Sequence, residues 1–196
     1  MENKKKLTFL AVGLLIILLV AGIAYKKLGA NFSGGNQLVA QPTAQPDDQG
    51  GEPDEIEALD FTVYDADGNE VHLSDYFGKP IVLNFWASWC GPCKSEMPAF
   101  DQANKDLNGE VQFLMINMTD GNRETVETAQ AFIEKNGYDL PVFFDTSMEA
   151  AYTYGAYALP TSFFIDADGY VVAHAQGAID AATLQTGIDM IYTPAE

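Results

Sequence analysis

The most informative stretch of this 196-residue chain reads Asn84-Phe85-Trp86-Ala87-Ser88-Trp89-Cys90-Gly91-Pro92-Cys93-Lys94. An almost continuous apolar run over residues 81–85 opens it, which is typical of a central strand covered on both faces. Over residues 97–107, apolar side chains recur at spacings of three and four and predict a helix. The chain's two cysteines, Cys90 and Cys93, therefore lie where a strand meets the start of a helix.

This placement favours redox chemistry. A helix N-terminus carries unpaired N–H groups and a partial positive charge that stabilise a thiolate, so we predict Cys90 as the attacking nucleophile. Cys93, one helical turn on, is placed to resolve a mixed disulfide. A structural disulfide across so short a loop would remove little entropy from the unfolded chain. A zinc site would need a second ligand pair, and His72 and His174 lack its spacing. We expect no metal and no cofactor beyond a redox-active disulfide Cys90–Cys93.

The remaining pattern predicts an α/β fold, with a mixed central sheet flanked by helices. An N-terminal β-hairpin is expected over residues 61–73, and the predicted order of elements is β, β, β, α, β, α, β, α, β, β, α. The segment 123–136 is an amphipathic helix that Gly137 is placed to end. Two Asp-Ala-Asp-Gly segments, at 65–68 and 166–169, are interpreted as hairpin turns, because neither has the bidentate Glu of a calcium loop.

The chain divides into three predicted regions. Residues 1–27 contain an uncharged run at 7–25 with lysines on both sides, which predicts a membrane anchor; a cleaved export signal, giving a secreted protein, is the alternative. Residues 28–57 are rich in Gly, Asn, Gln, Pro and Asp and predict a flexible extracytoplasmic linker. Residues 58–196 form the predicted catalytic domain.

Charge excludes one class of partner. The net charge is −18, and beyond residue 27 the chain has five basic and 27 acidic residues. Such a field repels phosphate backbones, and no basic stripe with interleaved aromatics offers a local exception. We therefore expect no nucleic acid partner. Most of the acidic excess is interpreted as a solvated surface.

The motif at Cys90 resembles the active-site segment of thioredoxins. The hairpin, the inserted helix near 123–136, the N-terminal segment and Glu96-Met97-Pro98 after the motif resemble the TlpA/ResA branch, whose members are membrane-anchored bacterial thiol-disulfide oxidoreductases. The resemblance spans about residues 59–191 and implies a thioredoxin-like fold. It also implies that Pro160 is a cis-proline facing the cysteines. The residues that it implies for substrate binding are Trp89, Gly91, Pro92, Leu159, Pro160 and Thr161.

The same resemblance implies a carboxylate near the second cysteine. Cytoplasmic thioredoxins carry an Asp where this chain has Asn84, so that proton acceptor is missing. Glu96 stands where the TlpA/ResA branch has an acidic residue, and we expect it to relay a proton for Cys93. The alternative is a solvated Glu that only favours the helix dipole. His72 and His174 are interpreted as structural residues. Trp86 is interpreted either as a core residue or as a residue that lines the substrate groove.

The function expected is reduction of protein disulfides outside the cytoplasm, with an integral membrane electron carrier as reductant. The Gly91-Pro92 dipeptide is that of thioredoxin, a stronger reductant than DsbA. A disulfide-forming oxidase of the same fold is the first alternative. A thiol peroxidase is disfavoured because Ala87 stands where that family has a Thr or Ser, three residues before its peroxidatic cysteine. A non-enzymatic binding module is disfavoured by the intact cysteine pair.

Overall fold

The computed structural model describes residues 38–40 and 56–194. No helix in this part of the chain is long and apolar enough to cross a membrane. The predicted anchor at residues 7–25 lies outside the described residues, as do most positions of the predicted linker.

Within the described residues, eight strands form one mixed sheet in the order β1-β8-β7-β4-β5-β6-β2-β3. The strands are β1 (Leu38–Ala40), β2 (Thr62–Tyr64), β3 (Glu70–His72), β4 (Ile81–Trp86), β5 (Gln112–Asn117), β6 (Val142–Phe144), β7 (Thr161–Ile165) and β8 (Val171–Gln176). The central strand β4 runs parallel to β5 and antiparallel to β7. All six of its residues are buried, as its apolar run predicts.

Two buried clusters cover the two faces of the sheet, and β4 contributes alternate side chains to them. Val82 and Trp86 belong to a cluster with buried residues of the helices on one face. Leu83 and Phe85 belong to the other cluster, which includes residues of the hairpin and of a short helix. Trp86 is fully buried, so it is a core residue and not part of a substrate groove.

The described residues include the helices α1 (Gly91–Leu107), α2 (Val126–Asn136), α3 (Glu149–Thr153) and α4 (Ala181–Ile191), and a 3-10 turn spans Leu73–Tyr76. The side chain of Thr125 caps the start of α2, and Gly137 ends it at a φ of 68°, as the sequence predicts. α4 lies tightly against the sheet at Gly187, where a Cβ would overlap the ring of Phe164. Glycine permits this close approach.

The order of elements from β2 to α4 is the order predicted from the sequence pattern, and it confirms the thioredoxin-like α/β fold that the resemblance implied. Both Asp-Ala-Asp-Gly segments are turns, in which Asp65 and Asp166 accept hydrogen bonds from the backbone of the same turn. The prediction of a linker without structure over residues 28–57 is wrong at β1, which pairs antiparallel with β8. An edge strand of three residues is held by backbone hydrogen bonds and needs no apolar periodicity, so the pattern did not reveal it.

Candidate active site

Cys90 and Cys93 lie where the short connection after β4 leads into α1. Cys90 is the N-cap of α1, and Pro92 lies in the first turn of the helix. A backbone N–H in the first turn has no acceptor within the helix, so proline there costs no hydrogen bond. Cys90 and Cys93 form a disulfide with Cα atoms 5.3 Å apart, so the structure holds the oxidised state. The strand-to-helix position predicted for the pair is confirmed.

The two sulfurs differ in access. Cys90 is 5% exposed and lines a surface cleft, whereas Cys93 is completely buried. The backbone N–H of Cys93 donates to Cys90 Sγ at 3.2 Å. In the reduced state the same donor and the helix N-terminus would stabilise negative charge on this sulfur. A substrate disulfide therefore meets Cys90 first.

Glu96 is a buried acid one turn beyond Cys93 on α1. Residues three apart on a helix share a face, so Cys93 and Glu96 point to the same side of α1. Glu96 is 2% exposed, and its carboxylate accepts hydrogen bonds from Asn84 Nδ2 at 2.9 Å and from the backbone of Ile179 at 3.0 Å. Burial raises the pKa of this carboxyl to about 7, and the bonds from Ile179 and Asn84 offset part of the rise. The alternative of a solvated first-turn residue is therefore wrong.

The loop before β7 approaches the motif from the other side. The Leu159–Pro160 peptide bond is cis, as the resemblance implied. Leu159 lines the cleft, while Pro160 and Thr161 are buried beside it. Thr161 pairs with Phe85 across the sheet, and its hydroxyl donates to the carbonyl of Ala158 at 2.6 Å. The loop is thus fixed against the strand that carries the motif.

The cleft in front of Cys90 has a volume of about 440 Å³. Four of the predicted binding residues line it together with Cys90: Trp89, Gly91, Pro92 and Leu159. Four further lining residues were not predicted: Met118, Arg123, Met148 and Tyr157. Met118 directly follows β5, and Met148 lies shortly after β6. Ligands in α/β sheets bind beyond the carboxyl ends of parallel strands, and this rule is the sequence signal that would have found these two.

Arg123 lines the cleft and contacts Trp89. Its guanidinium lies 3.5 Å from the centre of the Trp89 ring, in a cation–π contact. Its backbone N–H donates to Asp120, whose carboxylate also accepts from Asn122 and Glu124. This compact turn holds the arginine beside the motif.

Glu124 is a second buried acid, and it was not predicted. Its carboxylate accepts from the backbone N–H of Ser88 at 2.8 Å, from the Ser88 hydroxyl at 2.7 Å and from Asn117 Nδ2 at 2.8 Å. It therefore connects the turn before Cys90 with the end of β5 and with the loop that carries Arg123. In the sequence it resembles any acidic residue just before a helix.

Neither histidine is among the residues that line the cleft. His72 lies in the hairpin beside Thr62 and Asp60, and His174 stacks on Phe163. Over residues 38–40 and 56–194, no group of three or more His, Cys, Asp or Glu side chains is arranged to hold a metal ion.

The family model described as AhpC/TSA family matches residues 56–174 of this chain. The thiol-disulfide oxidoreductase ResA of Bacillus subtilis (strain 168) is 28% identical over 190 residues, covering 96% of both chains. Among solved structures, the thiol:disulfide interchange protein of Chlorobium tepidum TLS superimposes with a TM-score of 0.62 at 26% identity, over 72% of this chain and 99% of that one. The exposed lipoprotein thioredoxin Etrx1 of Streptococcus pneumoniae strain TIGR4 gives a TM-score of 0.56 at 34% identity, over 67% and 99%.

Proposed function

Because the chain belongs to the AhpC/TSA family and is a ResA-like thiol-disulfide oxidoreductase acting on proteins, we propose that it works as a reductant of protein disulfides outside the cytoplasm. The observation that carries this proposal is the pairing of Cys90, which lines the cleft at a helix N-terminus, with a completely buried Cys93.

The reaction begins with the reduced pair. The Cys90 thiolate attacks one sulfur of the substrate disulfide, and the other substrate sulfur leaves as a thiolate that takes up a proton. The Cys93 thiolate then attacks Cys90 Sγ in the mixed disulfide, and the second substrate sulfur leaves. The substrate gains two electrons and two protons, and the protein gains the Cys90–Cys93 disulfide. No bound cofactor takes part, since the disulfide itself carries the electrons.

Glu96 accepts the proton that Cys93 loses before the second attack. Three observations support this role: the carboxyl is buried, it shares a helix face with Cys93, and its pKa of about 7 suits proton exchange near neutral pH. Asn84 cannot accept a proton, but its amide donates to Glu96 and orients it. Glu96 thus takes the place of the carboxylate that is missing at position 84.

The direction proposed is reduction. The Gly91-Pro92 dipeptide is that of thioredoxin, with a potential of about −270 mV, against about −120 mV for the oxidase DsbA. A disulfide-forming oxidase remains the second candidate, and the reduction potential of the Cys90–Cys93 pair distinguishes the two. A thiol peroxidase has less support, since Ala87 is buried and brings no hydroxyl to the position three residues before Cys90.

Location and electron supply complete the proposal. Residues 7–25 anchor the chain in the membrane, the domain faces the extracytoplasmic side, and an integral membrane electron carrier re-reduces the disulfide. The apolar run with flanking lysines supports the anchor, and the exposed location in the name of the pneumococcal protein supports the topology. Fractionation with membranes and removal of the domain by external protease would test both; a soluble species starting near Tyr25 would refute the anchor.

Trapping tests the chemistry. In Cys93→Ser the resolving thiol is absent, so a mixed disulfide between Cys90 and substrate should persist on non-reducing gels. The matched variant Cys90→Ser should trap nothing. Reduction of insulin by the reduced full-length chain is the activity measurement, and no reduction by a folded, reduced protein would refute the proposal.

A further inference from the structure

The cleft contains a cation that the redox chemistry does not use. Arg123 is the only arginine of the chain, and of the described residues that line the cleft it alone has a charged side chain. The other walls are mainly apolar: Trp89, Met118, Met148 and Leu159. Arg123 is itself exposed, so water screens part of its charge, and what favours an anion here is the fixed position of the guanidinium beside these apolar walls.

The guanidinium is oriented but not saturated. Its plane is held over the Trp89 ring at 3.5 Å. In the described part of the chain, no carboxylate or carbonyl accepts a hydrogen bond from it, and it takes part in no ion pair. Asp120, three residues earlier in the same loop, forms no ion pair with the guanidinium: its Oδ1 accepts three backbone N–H groups, and the charge of Arg123 contributes to lowering the pKa of this carboxyl. The guanidinium therefore has N–H donors without an acceptor among the described residues, and its contact with the Trp89 ring sets their position.

From this arrangement we propose that Arg123 is a specificity-determining residue, which binds a carboxylate of the substrate polypeptide beside the disulfide that Cys90 attacks. The proposal rests on the reductase function given above and names a feature of its substrates: an Asp or Glu close to the reacting cysteine. A guanidinium matches a carboxylate with two parallel hydrogen bonds, which also fixes the direction of the bound segment.

The acidity of the whole domain does not oppose this selection. The field of distant acidic residues is screened over about 8 to 10 Å at physiological ionic strength, whereas the carboxylate would touch the guanidinium directly. The feature recognised is thus local to the disulfide. It is not an acidic character of the whole substrate.

A competing role for Arg123 is to stabilise the Cys90 thiolate without touching the substrate. The two roles differ in one measurable respect. A thiolate effect changes the reduction of every substrate by the same factor, whereas carboxylate binding changes the ratio between acidic and neutral substrates.

The test uses two short peptides, each closed by one disulfide, with Glu on both sides of one cysteine in the first and Gln in the second. The reduced full-length chain should reduce the Glu peptide with a kcat/KM about three- to tenfold higher, and added salt should diminish the difference. Arg123→Met should bring the ratio to about one. Lys135→Met removes a positive charge at the far end of α2 and should keep the wild-type ratio.

An equal ratio in wild type and Arg123→Met, or no preference in the wild type, would overturn the carboxylate site while leaving the reductase function intact. A uniform loss on both peptides in Arg123→Met, with the ratio unchanged, would also overturn it and assign the thiolate role. If the wild type reduces neither peptide nor insulin although Cys90 is alkylated, the proposed function itself fails.

Discussion

Two buried glutamates flank the active-site motif, and their surroundings differ. Glu124 receives three hydrogen bonds, two from Ser88 and one from Asn117. Glu96 receives two, from Asn84 and Ile179, among apolar residues of the core, and burial raises its pKa to about 7. The comparison shows that burial of an acid does not define its role. Glu124 is bonded to two segments that shape the site, whereas Glu96 is the carboxylate for which we propose a proton-relay role.

The contacts of Glu124 are all with backbone and side chains that shape the site. Ser88 belongs to the turn before Cys90, and Asn117 ends β5, where Thr119 also donates to its side-chain oxygen at 2.8 Å. Glu96, by contrast, accepts its hydrogen bonds from Asn84 on β4 and from the backbone of Ile179, and neither residue lines the cleft. These contacts support a structural role for Glu124, and Glu96 is the proton relay that we propose.

The largest effect expected is that of Glu124→Ala. The truncation leaves the two donors of Ser88 and the amide of Asn117 without an acceptor inside the protein. We expect the free energy of unfolding to fall by about 3 to 5 kcal/mol, measured by denaturant titration. Glu124→Gln should cost only about 1 kcal/mol, because the Ser88 hydroxyl can accept from the new amide. An alanine variant as stable as the wild type would remove the structural role.

The next effect is the pH dependence that Glu96 gives to stability. Its pKa rises from an ordinary 4.5 to about 7 on folding, so the folded state holds a proton that the unfolded state has lost. This contribution to stability is complete below pH 4.5 and is lost as pH rises to about 7, which amounts to about 3 kcal/mol.

Unfolding of the oxidised protein at several pH values checks this expectation. Burial also raises the pKa of Asp145, which adds a loss in the same direction, so the informative quantity is the difference between variants. Glu96→Gln should remove the part of the fall between pH 4.5 and 7 that belongs to Glu96. Glu124→Gln keeps Glu96 and should retain that part. Parallel curves for wild type and Glu96→Gln would show that Glu96 does not titrate in this range.

A smaller effect is expected at Asn84. Its amide donates to Glu96 and to the Ser162 hydroxyl at 3.0 Å, and the bond to Glu96 lowers the pKa of that carboxyl. Asn84→Ala should therefore raise the pKa of Glu96 above its wild-type value, as followed by NMR of the carboxyl carbon. Ser162→Ala removes the other partner of Asn84 and is the control, with a smaller shift. A lowered pKa in Asn84→Ala would contradict the assigned hydrogen bond.

The features that could be predicted from the sequence are those that depend on local pattern. The apolar run of β4, the spacing of α1 and the position of Cys90 and Cys93 follow from periodicity and helix-end chemistry. The resemblance, not the pattern, pointed to Glu96 and to the cis bond at Pro160. What remained hidden depends on contacts between distant segments.

Glu124 illustrates the limit. It lies 36 residues from Ser88 in the chain, and only the folded sheet brings the two together. Arg123 is equally ordinary in the sequence until the loop after β5 places it over Trp89. β1 escaped notice for another reason: its three residues are held by the exposed edge of β8, a property of the sheet and not of the strand's own composition.

The most direct test of the account is the rate at which Cys93 resolves a mixed disulfide on Cys90, followed by stopped-flow fluorescence of the adjacent Trp89 across the pH range. We expect the wild-type rate to fall as pH drops below about 7, because protonated Glu96 cannot accept the thiol proton. Glu96→Gln should be slower and lack this inflection, and Glu124→Gln should follow the wild type. Superimposable pH profiles for wild type and Glu96→Gln would contradict the relay.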